Sequence, residues 1–217
     1  MDEEILFRSI HRHLLERSRA GHEPDTEAGL ADRFCVSRHH VRQALDLLSQ
    51  LGLVTRTQKL GIACNEPEPD DISRHISSQI TVGGFDRHEL HEARALFDTK
   101  LLGLVVRRMH PADLGVLTEI ISSMEGCIEF RGAALKFHRS FWETIFKSCG
   151  NRVLQVLATS LLYHTMNHLD AHADEQEDSW YTDMLDMDRS VLAALRKEDA
   201  ERAGALVTDW LAEELAV

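Results

Sequence analysis

The sequence predicts a mainly α protein: an N-terminal winged helix-turn-helix with a small β-hairpin wing, followed by an all-α helical bundle. Three observations carry that expectation. Apolar residues recur at helical spacing along most of the chain. Two short strand-like runs, Leu53–Arg56 and Ile62–Cys64, flank a turn containing Gly61, and no strand alternation follows residue 65. A stretch rich in proline and acid, Asn65 to Asp71, separates the two parts. The expected division is therefore a domain over 1–66, a linker over 67–71 and a second domain over 72–217.

In the first domain, residues 3–19 form an amphipathic helix with Leu6, Ile10 and Leu14 at spacing four. Gly21 and Pro24 make a loop. Leu30, Ala31 and Phe34 then place apolar groups on one side of a short helix that ends at Cys35-Val36. Ser37 is a good N-cap for the next helix, since its hydroxyl satisfies an orphan backbone N–H. Val41, Ala44, Leu45, Leu48 and Leu51 give that helix an inward stripe, and Gly52 closes it. Its outward first turns carry Arg38, His39, Arg42 and Gln43, which are long donors beside a helix N-terminus that attracts phosphate. A helix that reads DNA needs this arrangement: an apolar back for anchoring and donors in front for phosphates and base edges. Arg56 and Lys59 add charge on the wing, and Gly61 can supply a positive φ in its turn. A plain helical hairpin with a solvated polar face, docking protein instead of DNA, is the alternative these residues leave open.

Charge distribution bears on that choice. The 217-residue chain has a formal net charge of −12. Residues 1–69 hold 9 basic and 11 acidic side chains, whereas 27–64 hold 5 basic against 3 acidic, so the reading segment is locally basic. An acidic second domain would discourage unspecific attachment to DNA. The four cysteines, Cys35, Cys64, Cys127 and Cys149, show no zinc-ligand spacing and read as buried free thiols, in keeping with a reducing cytoplasm. Hydrophobic content of 43% suffices for two cores. The longest apolar run, Leu101 to Val106, is far too short to span a bilayer, and MDEEIL lacks a signal-peptide core.

The second domain reads as six or seven helices: Asp71–Ile80, Asp86–Met109, Pro111 to about Arg131, Ala133–Ser148, one capped by Asn151 to roughly Ala173, Glu177–Arg196 and Asp199–Leu215. In the second of these, Ala93, Phe97, Leu101 and Leu104 form the expected inner stripe.

The run SRHHVRQALDLLSQLGLVTRTQKLGIAC closely resembles the DNA-binding signature of the GntR family, through Ser37-Arg38, Val41-Arg42, Ala44-Leu45, Leu48, Gly52-Leu53-Val54 and Gly61. His40 stands where the family usually has proline, and Ala28 where it usually has an arginine that often touches DNA. The helical part resembles the FCD domain of the FadR-like branch, through Glu92-x-Arg94, Phe137-His138, Asp188-Arg189-Ser190-Val191-Leu192 and Asp199-x-x-x-Ala203. The resemblance implies a homodimeric transcriptional regulator of palindromic double-stranded DNA. It implies contacts from Ser37, Arg38, His39, His40, Arg42, Gln43, Arg56, Lys59 and Gly61, and a small effector, an organic acid or an acyl thioester, in the bundle.

Many FCD domains hold a divalent metal through one Asp and three His. Here only His138 matches; Ala134, Asp188 and Trp210 occupy the other positions, so no metal is expected in the family manner. The implied effector pocket is lined by Arg94, His138, Asp188 and Trp210. Arg94 is read either as a partner for an effector carboxylate or as the partner of Glu92, Asp98 or an acid on a neighbouring helix. His164, His168 and His172 share one helix face, and with His138 and Asp188 the first two allow a shifted metal site as a lesser alternative to ordinary polar residues. The rival functional class is a helical metal-dependent hydrolase built on these histidines. Against it, no Glu-x-x-His pair is present, and His88-Glu89-Leu90-His91 has the wrong spacing for a zinc protease.

Overall fold

The structure, a computed structural model, describes residues 3–57, 61–65 and 68–216. The chain divides into two compact units, Met1–Glu68 and Pro69–Val217.

The first unit contains α1 (Glu3–Arg19), α2 (Glu27–Phe34), α3 (Arg38–Gln50), β1 (Val54–Thr57) and β2 (Gly61–Cys64). Both reader helices start on side-chain caps: Thr26 accepts from the N–H of Gly29, and Ser37 from that of His40. Cys35 ends α2 in the left-handed conformation, φ 53°, and this turn leaves its thiol exposed instead of buried as expected. Leu6, Ile10, Leu14, Leu30, Val41, Leu45, Leu48, Val54 and Ile62 share one core. Each such side chain contributes about 1.5–3 kcal/mol on full burial. Leu51 departs from the expected stripe and is 44% exposed, because as the C-cap of α3 it has left the helical phase. The strands pair antiparallel, Val54 opposite Cys64 and Thr57 opposite Gly61.

The second unit is a bundle of seven α-helices among the described residues. These are α4 (Pro69–Gly83), α5 (Arg87–Arg108), α6 (Pro111–Glu125), α7 (Arg131–Lys147), α8 (Arg152–Ala171), α9 (Asp178–Arg196) and α10 (Ala200–Ala216), with a 3-10 turn at Ala173–Glu175. Helix α4 lies along α8, and α5 along α10. Phe141, Trp142, Phe146 and Tyr181 are the largest side chains of the common core.

Two boundaries differ from the sequence reading. The stretch expected to be linker up to Asp71 is helical from Pro69 onward. Proline fits a helix's first turn, and Asp70 and Asp71 complement its N-terminal dipole. The small buried side chain of Ser73 then lets α4 approach α8, its hydroxyl donating to the carbonyl of Pro69 at 2.9 Å and lying 3.1 Å from that of Val156. Helix α6 stops at Glu125, short of the expected Arg131, and turns follow before α7. In α5 the buried face is Leu90, His91, Arg94, Asp98, Leu101, Leu102 and Val105, while Ala93 is exposed. The apolar-stripe reading missed this phase because the inner face includes an ion pair.

Candidate functional site

The first-turn face of α3 is open. Arg38, His39, His40, Arg42 and Gln43 are all exposed, with Val41, Ala44 and Leu45 buried behind them. Among the described residues, Arg38 has no acidic partner. Ser37 and His40 are engaged with each other, Oγ to Nδ1 at 2.9 Å, so the histidine in place of proline reinforces the cap. Arg42 and Arg56 are held by one acid that sequence reading missed: Arg42 Nε donates to Glu27 Oε2 at 2.7 Å, and Arg56 lies 3.8 Å from Glu27 Oε1 while also pairing with Asp46. Lys59 lies outside the described residues. Gly61 has φ +81°, and a Cβ there would meet the carbonyl of Asp25 at 2.8 Å. Its evident role is to let the wing pack on the loop before α2, where Ile62 N–H bonds Asp25.

The four residues expected to line one effector pocket lie in three arrangements. Arg94 is buried and its Nε donates to Asp98 Oδ2 at 3.3 Å, so the structural alternative for this arginine is the one observed. Burial pushes the Asp98 carboxyl up to about 6, against the pull of Arg94. His138 Nδ1 is 2.7 Å from Asp188 Oδ2, and Trp142 Nε1 donates to Asp188 Oδ1 at 3.1 Å. This buried network sits beside the fully buried Ala134 of the same core. Burial raises the Asp188 carboxyl, while His138 and Trp142 pull it back. Trp210 is elsewhere, its ring 5.6 Å from that of Trp180.

His138 is likewise apart from His164 and His168, which line a separate cleft with Arg87 and His91. The shifted metal site through these three histidines is therefore not assembled, and among the described residues no group of three or more His, Cys, Asp or Glu is placed to hold a metal. In the His88–His91 run, Glu89 forms a capping box with Asp86, whereas His91 is buried with Nδ1 3.1 Å from the carbonyl of Leu211.

The chain matches the description "Bacterial regulatory proteins, gntR family" over residues 6–63 and the FCD domain over residues 89–213. It belongs to the gntR family. The winged unit and the helical unit of this family member correspond to the two matched stretches. It is similar to the HTH-type transcriptional regulator LutR of Bacillus subtilis (strain 168), 30% identical over 154 residues, which are 69% of this chain and 64% of LutR. The match thus spans less than two thirds of LutR. Among solved structures, the fold is similar to Streptococcus agalactiae GntR, with a TM-score of 0.65, 18% identity and full coverage of both chains. It is also similar to E. coli McbR/YncC, with a TM-score of 0.54, 16% identity and coverage of 97% of this chain and 95% of that one. These relatives are regulators or share the fold, and the hydrolase reading gains no support from them.

Proposed function

We propose that this gntR-family chain is a DNA-binding transcriptional regulator controlled by a small molecule held in its helical unit. The observation that carries the reading is the front of α3: Arg38, His39, Arg42 and Gln43 exposed on one side, and a buried apolar stripe on the other. Set into a major groove, such a helix places guanidinium donors at guanine edges and phosphates, with Arg56 of the wing toward the flanking backbone. A homodimer with two such helices requires a roughly palindromic operator. An effector preferring one placement of the two readers then shifts DNA affinity by its differential binding.

The protein operates without a bound metal on this reading. Ala134 and Trp210 offer no ligand atoms, and both oxygens of Asp188 are occupied by His138 and Trp142. A cytoplasmic location goes with the function; among the described residues no helix is long and apolar enough to cross a membrane. The test is a gel shift against a palindromic fragment from upstream of the gene. Arg38→Ala should weaken binding by about 1–3 kcal/mol if it contacts a guanine edge. Undiminished affinity in an Arg38→Ala/Arg42→Ala protein would reject this face as the reader.

A further inference from the structure

A polar cleft of about 430 Å3 opens where α4, α7 and α8 meet, and its lining includes neither His138 nor Asp188. Asp70 and Arg74 come from α4, Arg139 and Glu143 from α7, and Tyr163 and Asn167 from α8. The volume falls in the size range of small-molecule sites, roughly 300–1,000 Å3. Helix α4 lies along α8 and buries only Ser73 and Ser77 of its own residues. Ser77 lines the cleft and is 1% exposed, and its hydroxyl has no hydrogen-bond partner among the described residues. A buried hydroxyl without a partner is costly, and a polar group entering the cleft relieves that cost.

The cleft also holds more acid than its bases answer. Arg74 is paired with Asp71, and Arg139 donates to Asp170 at 2.8 Å while its guanidinium lies 5.7 Å from the centre of the Tyr163 ring. Both acids so engaged lie outside the lining. Asp70 and Glu143 are left without an ion pair among the described residues, and the Tyr163 hydroxyl is the hydrogen-bond partner of Glu143. Burial pushes the Glu143 carboxyl up, and Asp70 adds to that against Tyr163, Arg139 and Arg74. A cation beside the two carboxylates favours the charged form of both.

We propose that this cleft is a binding site for a small amino polyol, with its ammonium between Asp70 and Glu143 and its hydroxyls toward Ser77 and Asn167. An ammonium is a compact charge with three donors, and two carboxylates supply the acceptors. Ligand hydroxyls both give and accept hydrogen bonds, which suits an amide and a serine hydroxyl. Arg74 and Arg139 in the same lining oppose a second positive charge, so a polyamine is disfavoured. Because both guanidiniums are already held by acids, a zwitterion gains little from its carboxylate. A bound amino polyol bridges α4 to α7, and so steadies the helix that directly follows Glu68 in the chain. Binding there does not depend on the chain being a regulator.

The experiment is calorimetry, thermal shift and amide exchange on the full chain with serinol and 3-amino-1,2-propanediol, against glycerol, L-serine and putrescine. Phosphate buffer with about 0.15 M sodium chloride screens exposed charges beyond about 8 Å, which removes unspecific attraction of cations to an acidic chain. The amino polyols should bind, raise the melting temperature and slow exchange in α4, and the comparators should bind at least about tenfold more weakly. Asp70→Asn and Glu143→Gln should each weaken the amino polyols about tenfold or more, whereas Glu201→Gln, in the first turn of α10, should not. If Glu143→Gln loses its fold, Asp70→Asn, on the exposed first turn of α4, still decides. No response to either amino polyol, equal binding of glycerol, tighter binding of L-serine or putrescine, unchanged exchange in α4, or undiminished affinity in the folded cleft variants overturns the proposal.

Discussion

His138 Nδ1 lies 2.7 Å from Asp188 Oδ2 in the middle of the helical core, with 3% of His138 and none of Asp188 exposed. Trp142 bonds the other carboxylate oxygen, so each oxygen of the acid has a partner on α7. Removing it would leave a buried imidazole and a buried indole N–H without an acceptor. Asp188→Ala should cost about 3–5 kcal/mol, a fall of about 6–20 °C in melting temperature for a chain of this size. A loss within 1 °C would show that the network contributes nothing to stability.

The same pairing bears on metals. A chelator strips stability from a protein whose fold contains a bound ion. Here, dialysis against EDTA should leave the melting temperature unchanged, and elemental analysis of the untreated protein should find less than one divalent ion per ten chains. A stoichiometric ion whose removal lowers the melting temperature would reject the metal-free reading.

Arg94 and Asp98 form the other buried charged pair, with Asp98 Oδ1 making no hydrogen bond. The carboxyl is raised from 3.8 to about 6 by burial. The folded chain therefore binds this proton over a pH window where the unfolded chain has released it. Stability from this group is present below about pH 4 and is lost as pH rises through about 6, on the order of 3 kcal/mol in all. Asp98→Asn stays neutral throughout. Urea titrations at pH 4 to 7 should show wild-type stability falling relative to the variant across that window; a constant difference would contradict the shift.

Gly61→Ala tests the wing. Both the positive φ and the 2.8 Å approach to the Asp25 carbonyl oppose a side chain. The cost is about 1–2 kcal/mol from the backbone alone, with the contact added. Amide exchange should quicken in α1, β1 and β2 while the amides of α7 and α9 keep their protection. Unchanged exchange in the wing would mean the loop before α2 yields freely.

The winged unit was legible because its determinants are local. Ser37 caps the helix it precedes, Leu6, Ile10 and Leu14 mark one face, and Gly61 opens β2. The order of helices in the bundle was legible for the same reason. The sites were not, because their partners are distant in sequence. Glu27 reaches Arg42 across 15 positions and His138 reaches Asp188 across 50. Periodicity carries no signal for such pairs. Arg94 and Asp98 misled the phase of α5 because an apolar stripe was expected where the helix buries an ion pair. Pro69 misled the boundary because the same residue that breaks a helix interior also opens a helix.

Glu27 supplies the last prediction. Its carboxylate holds Arg42 and lies near Arg56, two of the donors assigned to DNA, and leaves Arg38 untouched. The carboxylate's charge opposes a phosphate at either arginine, so the acid competes with DNA for its own reader. Glu27→Gln keeps the side-chain shape and removes the charge. Binding to an unspecific duplex should tighten at low salt, and the slope of log affinity against log salt should steepen by about 0.9 for each additional phosphate neutralised. Discrimination in favour of the operator should fall, since the added term carries no sequence information. Weaker binding to both duplexes would instead mean that Glu27 serves by orienting Arg42 for the groove, with the pair entering the complex intact.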